Sequence, residues 1–134
     1  MISLNRTMTY ILCLGSNEQK KESLQLARER LQSIFPDIHF ADEEETEPVG
    51  FIRSEKFLNQ VGVFTSDLPM SEIKSTLKEI EREAGRKPED KENGIVLLDI
   101  DLLADESMIY KPVDWDRDYV RRGIAQLAIQ RRCD

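Results

Sequence analysis

The sequence predicts an α+β domain: an antiparallel sheet with helices packed on it, in the order strand, helix, strand, strand, helix, strand, helix. Three observations predict it. Apolar and β-branched runs of buried-strand length recur at residues 9–14 (TYILCL), 57–65 (FLNQVGVFT) and within 94–106 (GIVLLDIDLLADE). The segments between them carry their apolar residues on one helical face. Two β-α-β units within 134 residues suit a ferredoxin-like arrangement, a small sheet covered by helices.

Each element follows in order. The first strand, residues 9–14, is closed by Gly15-Ser16-Asn17, a turn signal. From about residue 19 to 35, Leu24, Ala27, Leu31 and Ile34 lie on one helical face, and Pro36 ends that helix. Residues 38–46 alternate weakly and turn acidic, giving a second strand that Glu47-Pro48-Val49-Gly50 breaks. Residues 57–65 form the third strand. Asp67 or Leu68 precedes a helix with Pro69 in its first turn, Met70, Ile73, Leu77, Ile80 and Ala84 on its buried face, and Gly85 as its cap. A polar loop, residues 86–94 (RKPEDKENG), leads into the last strand. A final helix runs from about residue 116 to 128, leaving a charged tail at 130–134 in which Arg131-Arg132 is expected to be disordered.

Composition narrows the function classes. The chain is 40% hydrophobic and 34% charged, as a soluble globular protein is, and reads as one domain over residues 1–134. A net charge of −7 argues against general affinity for nucleic acid or an anionic membrane. No apolar stretch is long enough to span a bilayer, and MISLNRTMTY lacks the apolar block of a signal peptide, so a cytoplasmic location is expected. Cys13 and Cys133 make no disulfide framework and are expected as reduced thiols. There is no internal repeat, low-complexity tract or linker. Glu43-Glu44-Glu45 reads as a solvated acidic stretch, and Met70 and Met108 as core or edge fillers.

The residues that carry chemistry sit in the last strand. In a strand, residues i and i+2 point to one face. Val96, Leu98, Ile100 and Leu102 therefore share an apolar, core-facing side, and Leu97, Asp99, Asp101 and Leu103 share the other. Two adjacent carboxylates repel, and a divalent cation between them relieves the repulsion. An isolated D-x-D can equally be a solvated face. Around this one, Arg86, Lys87 and Lys91 precede the strand and Arg117, Arg121 and Arg122 follow it. Metal carboxylates with flanking cations are what phosphoryl transfer requires.

Several ordered motifs resemble one family. Leu14-Gly15-Ser16-Asn17, Thr46-Glu47-Pro48-Val49-Gly50, Phe57-Leu58-Asn59, Ile80-Glu81, Gly85-Arg86, Leu98-Asp99-Ile100-Asp101 and Arg122-Gly123-Ile124 are together similar to the 6-hydroxymethyl-7,8-dihydropterin pyrophosphokinases. Those folate-pathway enzymes move a pyrophosphoryl group from ATP to a pterin hydroxymethyl. The resemblance covers roughly residues 9–125. It implies ATP as co-substrate, two Mg²⁺ ions held by Asp99 and Asp101, and small-molecule partners, ATP and a dihydropterin. It also implies phosphate neutralisation by Arg86 and Arg122, and Glu81 and Lys91 near the nucleotide. Thr46 and Val49 would line the pterin pocket, Phe57 would stack on its ring and Asn59 would hydrogen-bond its edge.

The chain departs from the family pattern at marked positions. The family's loop before the metal strand reads like R-W-G-P-R-T-L-D-L-D, and here its tryptophan falls on Asn93 and its second arginine on Val96. A further loop arginine falls on Pro88, and Trp115-Asp116 stand about where the family has P-H. Lys87, Lys91 and Trp115 are the candidate substitutes. Three readings stay open: a working pyrophosphokinase with rearranged loops, a relative with a different phosphate donor or acceptor, and a nucleotide- or pterin-binding or regulatory module that has lost the chemistry.

Overall fold

The apolar runs at residues 9–14 and 57–65 become the two central strands of one sheet. The computed structural model describes residues 7–48, 50 and 54–133, with side chains as far as residue 128. In chain order the elements are β1 (Met8–Ser16), α1 (Lys20–Ile34), β2 (His39–Phe40), β3 (Glu44–Thr46), β4 (Phe57–Ser66), α2 (Met70–Glu83), a 3₁₀ turn (Pro88–Asn93), β5 (Asp99–Asp105), α3 (Pro112–Trp115) and α4 (Asp118–Cys133). The sheet runs β2-β4-β1-β5, with β3 also on β4, and the pairs are antiparallel. With β2 and β3 taken as two pieces of one strand, this is the ferredoxin-like order that the pattern predicted.

Strand alternation divides the sheet into two faces. Leu12 and Leu14 of β1, Leu58 and Phe64 of β4, and Ile100 and Leu102 of β5 point to one side. There they meet Leu24, Ala27 and Leu31 of α1 and Ile73, Leu77 and Ile80 of α2. Burying each aliphatic side chain of this kind contributes roughly 1.5–3 kcal/mol. The opposite face carries Cys13, Val61, Val63 and Leu103, covered by Val120 and Leu127 of α4. Gly123 lets α4 lie close to the sheet, since a Cβ there would meet Val61 Cγ2 at 2.7 Å.

The structure corrects the sequence reading in four places. The second strand is not continuous over residues 38–46. Ala41 donates its N–H to Val61 O at 2.9 Å, its own carbonyl accepts from Gln60 Nε2 at 2.7 Å, and Asp42 N–H turns away to Gln126 Oε1 at 2.8 Å. That bulge separates β2 from β3. The last strand starts at Asp99 rather than near residue 94, because Asn17 captures the backbone before it. Asn17 Nδ2 donates to Gly94 O at 2.8 Å, and its Oδ1 accepts Val96 N–H at 2.7 Å. The final helix is two helices, α3 and α4, divided at Asp116-Arg117.

The remaining correction concerns the helix faces. Ile34 and Met70 are exposed rather than buried, and Met108, read as a core or edge filler, is exposed and not in the core. Phe35 takes the core position expected of Ile34 and packs against Phe64, with the rings tilted by 33° and their centroids 4.3 Å apart. The expectation for Arg131-Arg132 lies outside the residues whose side chains are described. Gly85 closes α2 as expected, at a φ of 97° that favours glycine. Among the described residues, no helix is long and apolar enough to cross a membrane.

Candidate active site

The face under α4 is only partly covered, and the uncovered part holds the polar residues. The register sets Asn59 of β4, Gly15 of β1 and Asp99 of β5 abreast, with Val61, Cys13 and Asp101 in the next row. Glu44 of β3 pairs with Asn59, and Thr46 with Phe57. Gly15 in the middle of the first row leaves open space between the amide and the carboxylate. A Cβ on it would come within 3.3 Å of Asn59 Oδ1 and 4.0 Å of the Phe57 ring.

A cleft of about 160 Å³ opens over this floor. Phe57, Asn59 and Thr46 form one wall, and Asp99 and Asp101 form another. Cys13, Tyr119, Asp114, Arg117 and Glu47 complete it. Asn59 Nδ2 donates to Thr46 Oγ1 at 2.6 Å, which fixes the amide and turns its carbonyl oxygen toward Gly15. A half-buried ring beside an oriented amide offers an aromatic face and an edge acceptor to a flat heterocycle. Arg117 pairs with Asp114 at 3.0 Å at the rim.

The same two aspartates also border a second cleft, on the β5 edge of the sheet. Its floor is Leu77, Ile100 and Leu102, and Lys74, Lys78 and Glu81 of α2 flank it with Arg86 and Lys111. Arg86 Nη1 donates to Asp99 Oδ1 at 3.0 Å and lies 3.1 Å from Glu81 Oε2. Lys111 Nζ donates to Asp101 Oδ1 at 2.9 Å. A tight turn brings Lys111 there: Asp105 Oδ1 accepts the N–H groups of Ser107 and Met108, and Tyr110 N–H returns to Leu103 O at 2.8 Å. The chain after β5 thus doubles back along the strand.

Charge explains what the pair lacks. Burial, then hydrogen bonding and repulsion from Asp101, pushes the Asp99 carboxyl up to about 7. Burial also works against the Asp101 charge, but the hydrogen bond with Asp99 and the Lys111 ammonium hold that carboxyl below its ordinary value. Asp99 is therefore only partly ionised near neutrality, and the pair carries less than its full two charges. Burial raises the Glu81 carboxyl, against the lowering effect of the Ile100 amide and Arg86. Burial likewise pushes the Cys13 thiol up to about 12, so it is a packed group rather than a nucleophile. Beyond the shared aspartates, the first cleft adds Glu47 and Asp114 against Arg117, the second adds Lys74, Lys78, Arg86 and Lys111 against Glu81, and the aspartate pair is their common border.

Most of the residues singled out from the sequence converge. Thr46, Phe57, Asn59, Asp99 and Asp101 line the first cleft, and Glu81 and Arg86 join the two aspartates in the second. Arg122 stands apart, ion-paired with Glu44 beside a neighbouring cleft that Thr46, Arg117 and Tyr119 also line. Lys91 and Lys87 are exposed at the 3₁₀ turn. Val49 lies outside the described residues. Trp115 packs against the α4 side of the core, with the Arg121 guanidinium 5.1 Å from its ring centroid. The sequence reading missed Lys74, Lys78 and Lys111. The lysines of α2 fall with Leu77 and Glu81 at i, i+3, i+4 and i+7, a stripe that was legible. Nothing local marked Lys111, which depends on the turn at 105–108.

Comparison with known proteins agrees with this geometry. Residues 11–129 match the family described as 7,8-dihydro-6-hydroxymethylpterin-pyrophosphokinase (HPPK). Two curated proteins, from two strains of Porphyromonas gingivalis, are each named 2-amino-4-hydroxy-6-hydroxymethyldihydropteridine pyrophosphokinase. Each is 35% identical to this chain over 132 aligned residues, covering 87% of the chain and 88% of the relative. With that coverage, and with the aspartate pair set between a ring-and-amide cleft and a cationic one, the chain belongs to the 7,8-dihydro-6-hydroxymethylpterin-pyrophosphokinase family.

Proposed function

We propose that this chain transfers the pyrophosphoryl group of ATP to the hydroxymethyl oxygen of 6-hydroxymethyl-7,8-dihydropterin, with Mg²⁺ bound at Asp99 and Asp101. The observation that carries the reading is the position of the aspartate pair on the common border of two clefts, one with the Phe57 ring and the Asn59 amide, the other with Lys74, Lys78, Arg86 and Lys111. In the transfer, the hydroxymethyl oxygen bonds to the β-phosphorus, the bond from that phosphorus to the α–β bridging oxygen breaks, AMP leaves, and the hydroxyl proton passes to solvent.

The residues divide that work. Phe57 would lie against the pterin ring, while Asn59 and Thr46 meet its polar edge. Gly15 leaves the space through which the hydroxymethyl would reach the carboxylates. In the second cleft, Arg86 and Lys111 would turn from the aspartates to phosphate oxygens, with Lys74 and Lys78 adding positive charge along the wall. The donor set suits magnesium: two adjacent carboxylates with hard oxygen donors, carrying less than their full charge while no cation is beside them. Among the described residues no group of three or more His, Cys, Asp or Glu could hold a metal, so phosphates and water would complete the shell. When bound, magnesium supplies neutralisation of phosphate charge as it shifts between oxygens.

A specific observation favours a second reading, a binding or regulatory module. Where the family pattern has a loop arginine, this chain has Val96, whose backbone is hydrogen-bonded to Asn17. One experiment separates the two. Calorimetry should detect ATP binding that requires Mg²⁺ and that Asp99→Ala/Asp101→Ala reduces at least about a hundredfold, the loss of roughly 3 kcal/mol. AMP release in the presence of hydroxymethyl-dihydropterin then identifies an enzyme. Binding without AMP release leaves the module or a different acceptor, and no binding at millimolar ATP rejects the nucleotide site.

A further inference from the structure

We propose that Glu81 is a positioning residue for the carboxylate pair: it holds the β5 edge so that Asp99 and Asp101 stay side by side, and it keeps Arg86 at the cleft once a cation takes Asp99. The proposal rests on the metal and nucleotide reading above, and it differs from a direct contact between Glu81 and nucleotide.

Three observations support it. Strand β5 is the last strand of the sheet path, and among the described residues its outer side meets other chain only near its end, where Ala104 pairs with Ile109, so the amide at Ile100 has no neighbouring strand to receive it. The outward amide of Ile100, the residue between the two aspartates, donates to Glu81 Oε2 at 2.8 Å. A strand edge held by a charged acceptor from a helix resists the local opening that would separate the two carboxylates. The same Oε2 lies 3.1 Å from Arg86 Nη1, and that nitrogen donates to Asp99 Oδ1 at 3.0 Å and to Leu98 O at 3.3 Å. The guanidinium is thus held between two carboxylates. If a divalent cation takes Asp99, Glu81 remains as its anchor, and Arg86 stays at the border of the two clefts instead of swinging into solvent. Burial matches this division, since the Glu81 side chain is 13% exposed and that of Arg86 is 42% exposed. A half-buried carboxylate whose oxygen already accepts the Ile100 amide and ion-pairs with Arg86 is poorly disposed to approach a polyphosphate, which would repel it.

Two variants separate the two duties. Glu81→Gln retains an oxygen acceptor for the Ile100 amide and loses the charge facing Arg86. Glu81→Leu loses both. The readouts are hydrogen exchange at the Ile100 amide, ATP affinity by calorimetry, and the Mg²⁺ concentration giving half-maximal ATP binding, with thermal melts to establish that each variant is folded. We expect Glu81→Gln to leave Ile100 exchange within about twofold and to weaken Mg²⁺-ATP binding about tenfold. Glu81→Leu should accelerate Ile100 exchange about tenfold or more and also raise the Mg²⁺ requirement. Wild-type affinity in either variant overturns the proposal. So does a Glu81→Leu protein that binds ATP weakly with unchanged Ile100 exchange and Mg²⁺ requirement, because that pattern belongs to direct contact with the nucleotide. If the wild-type chain binds no Mg²⁺-ATP, the nucleotide reading has failed instead, and Ile100 exchange in Glu81→Leu still decides the strand-holding half.

Discussion

One sheet in this protein has two unlike faces. The side under α1 and α2 is closed by aliphatic and aromatic packing, with Leu12, Leu14, Leu24, Leu31, Ile73 and Leu98 fully buried. The side under α4 is closed over Val61, Cys13 and Leu103 but left open over Asn59, Gly15 and Asp99. The strands are the same, and alternate residues of each serve both faces. The difference teaches how a small α+β domain separates its duties: one face supplies stability, and the other can leave polar groups only partly buried because the first has already fixed their positions. Asp99 and Asp101 stay adjacent although their charges oppose it, since Ile100 and Leu102 between and beyond them are locked into the opposite core.

That contrast is most directly broken from the closed face. Leu12→Ala removes a fully buried side chain from the central strand and should cost about 2–5 kcal/mol in urea unfolding. The protein that remains folded should bind Mg²⁺-ATP as before; a large affinity loss at full folding would mean that the two faces are not independent. On the other face, Gly123→Ala drives a methyl into Val61 and lifts α4. We expect about 1–3 kcal/mol of destabilisation, seen as a lower Tm. An unchanged Tm would show that α4 can shift on the sheet at little cost.

Gly15→Ala sharpens the comparison within the open region. Its new methyl crowds the Asn59 carbonyl and narrows the gap toward Asp99. Dihydropterin affinity should fall about tenfold, roughly 1.4 kcal/mol, while ATP affinity in the second cleft is retained. Equal losses for both ligands would argue against separate clefts.

The last prediction concerns pH. The Asp99 carboxyl, raised to about 7, keeps its proton in the folded protein over a range where the unfolded chain has released it. The folded state then binds more protons than the unfolded state, so this group makes stability fall as pH rises from about 4 to about 7. Stability against urea at about pH 5 and about pH 8 should therefore differ less in Asp99→Asn than in wild type. An identical pH dependence in the two proteins would mean that Asp99 is ionised throughout, held by Arg86 alone.

Much of the fold was legible because its signals are local. The strands at 9–14 and 57–65 are unbroken apolar runs, α2 carries a regular stripe through Ile73, Leu77 and Ile80, and Gly85 stops it. The bulge at residues 41–43 was not legible, because it depends on Gln60 and Gln126 reaching Ala41 and Asp42 from other elements. Nor was the start of β5: residues 94–98 are as apolar as the strand after them, and the Asn17 side chain keeps them out of the sheet. In the candidate site, the D-x-D pair, Phe57-Leu58-Asn59 and Glu81 through Arg86 stood out by residue type and order. Lys111 did not, since its approach to Asp101 follows from a turn stabilised by the Asp105 carboxylate.

The amino-acid sequence by itself determined which residues face together. Period 2 in the strands and period 3.6 in the helices are properties of the backbone, so Asp99 and Asp101 had to leave β5 on one side and Lys74, Leu77, Lys78 and Glu81 had to line one side of α2. Only the tertiary structure decided what those sides meet. Setting Asn59, Gly15 and Asp99 in one row requires the β4–β1–β5 register, which pairings between distant segments fix. How much of that row α4 covers is set by the close contact of Gly123 with Val61. Burial and neighbouring charge then decide how the carboxylates share their proton, because desolvation and repulsion depend on which groups long-range packing brings within reach.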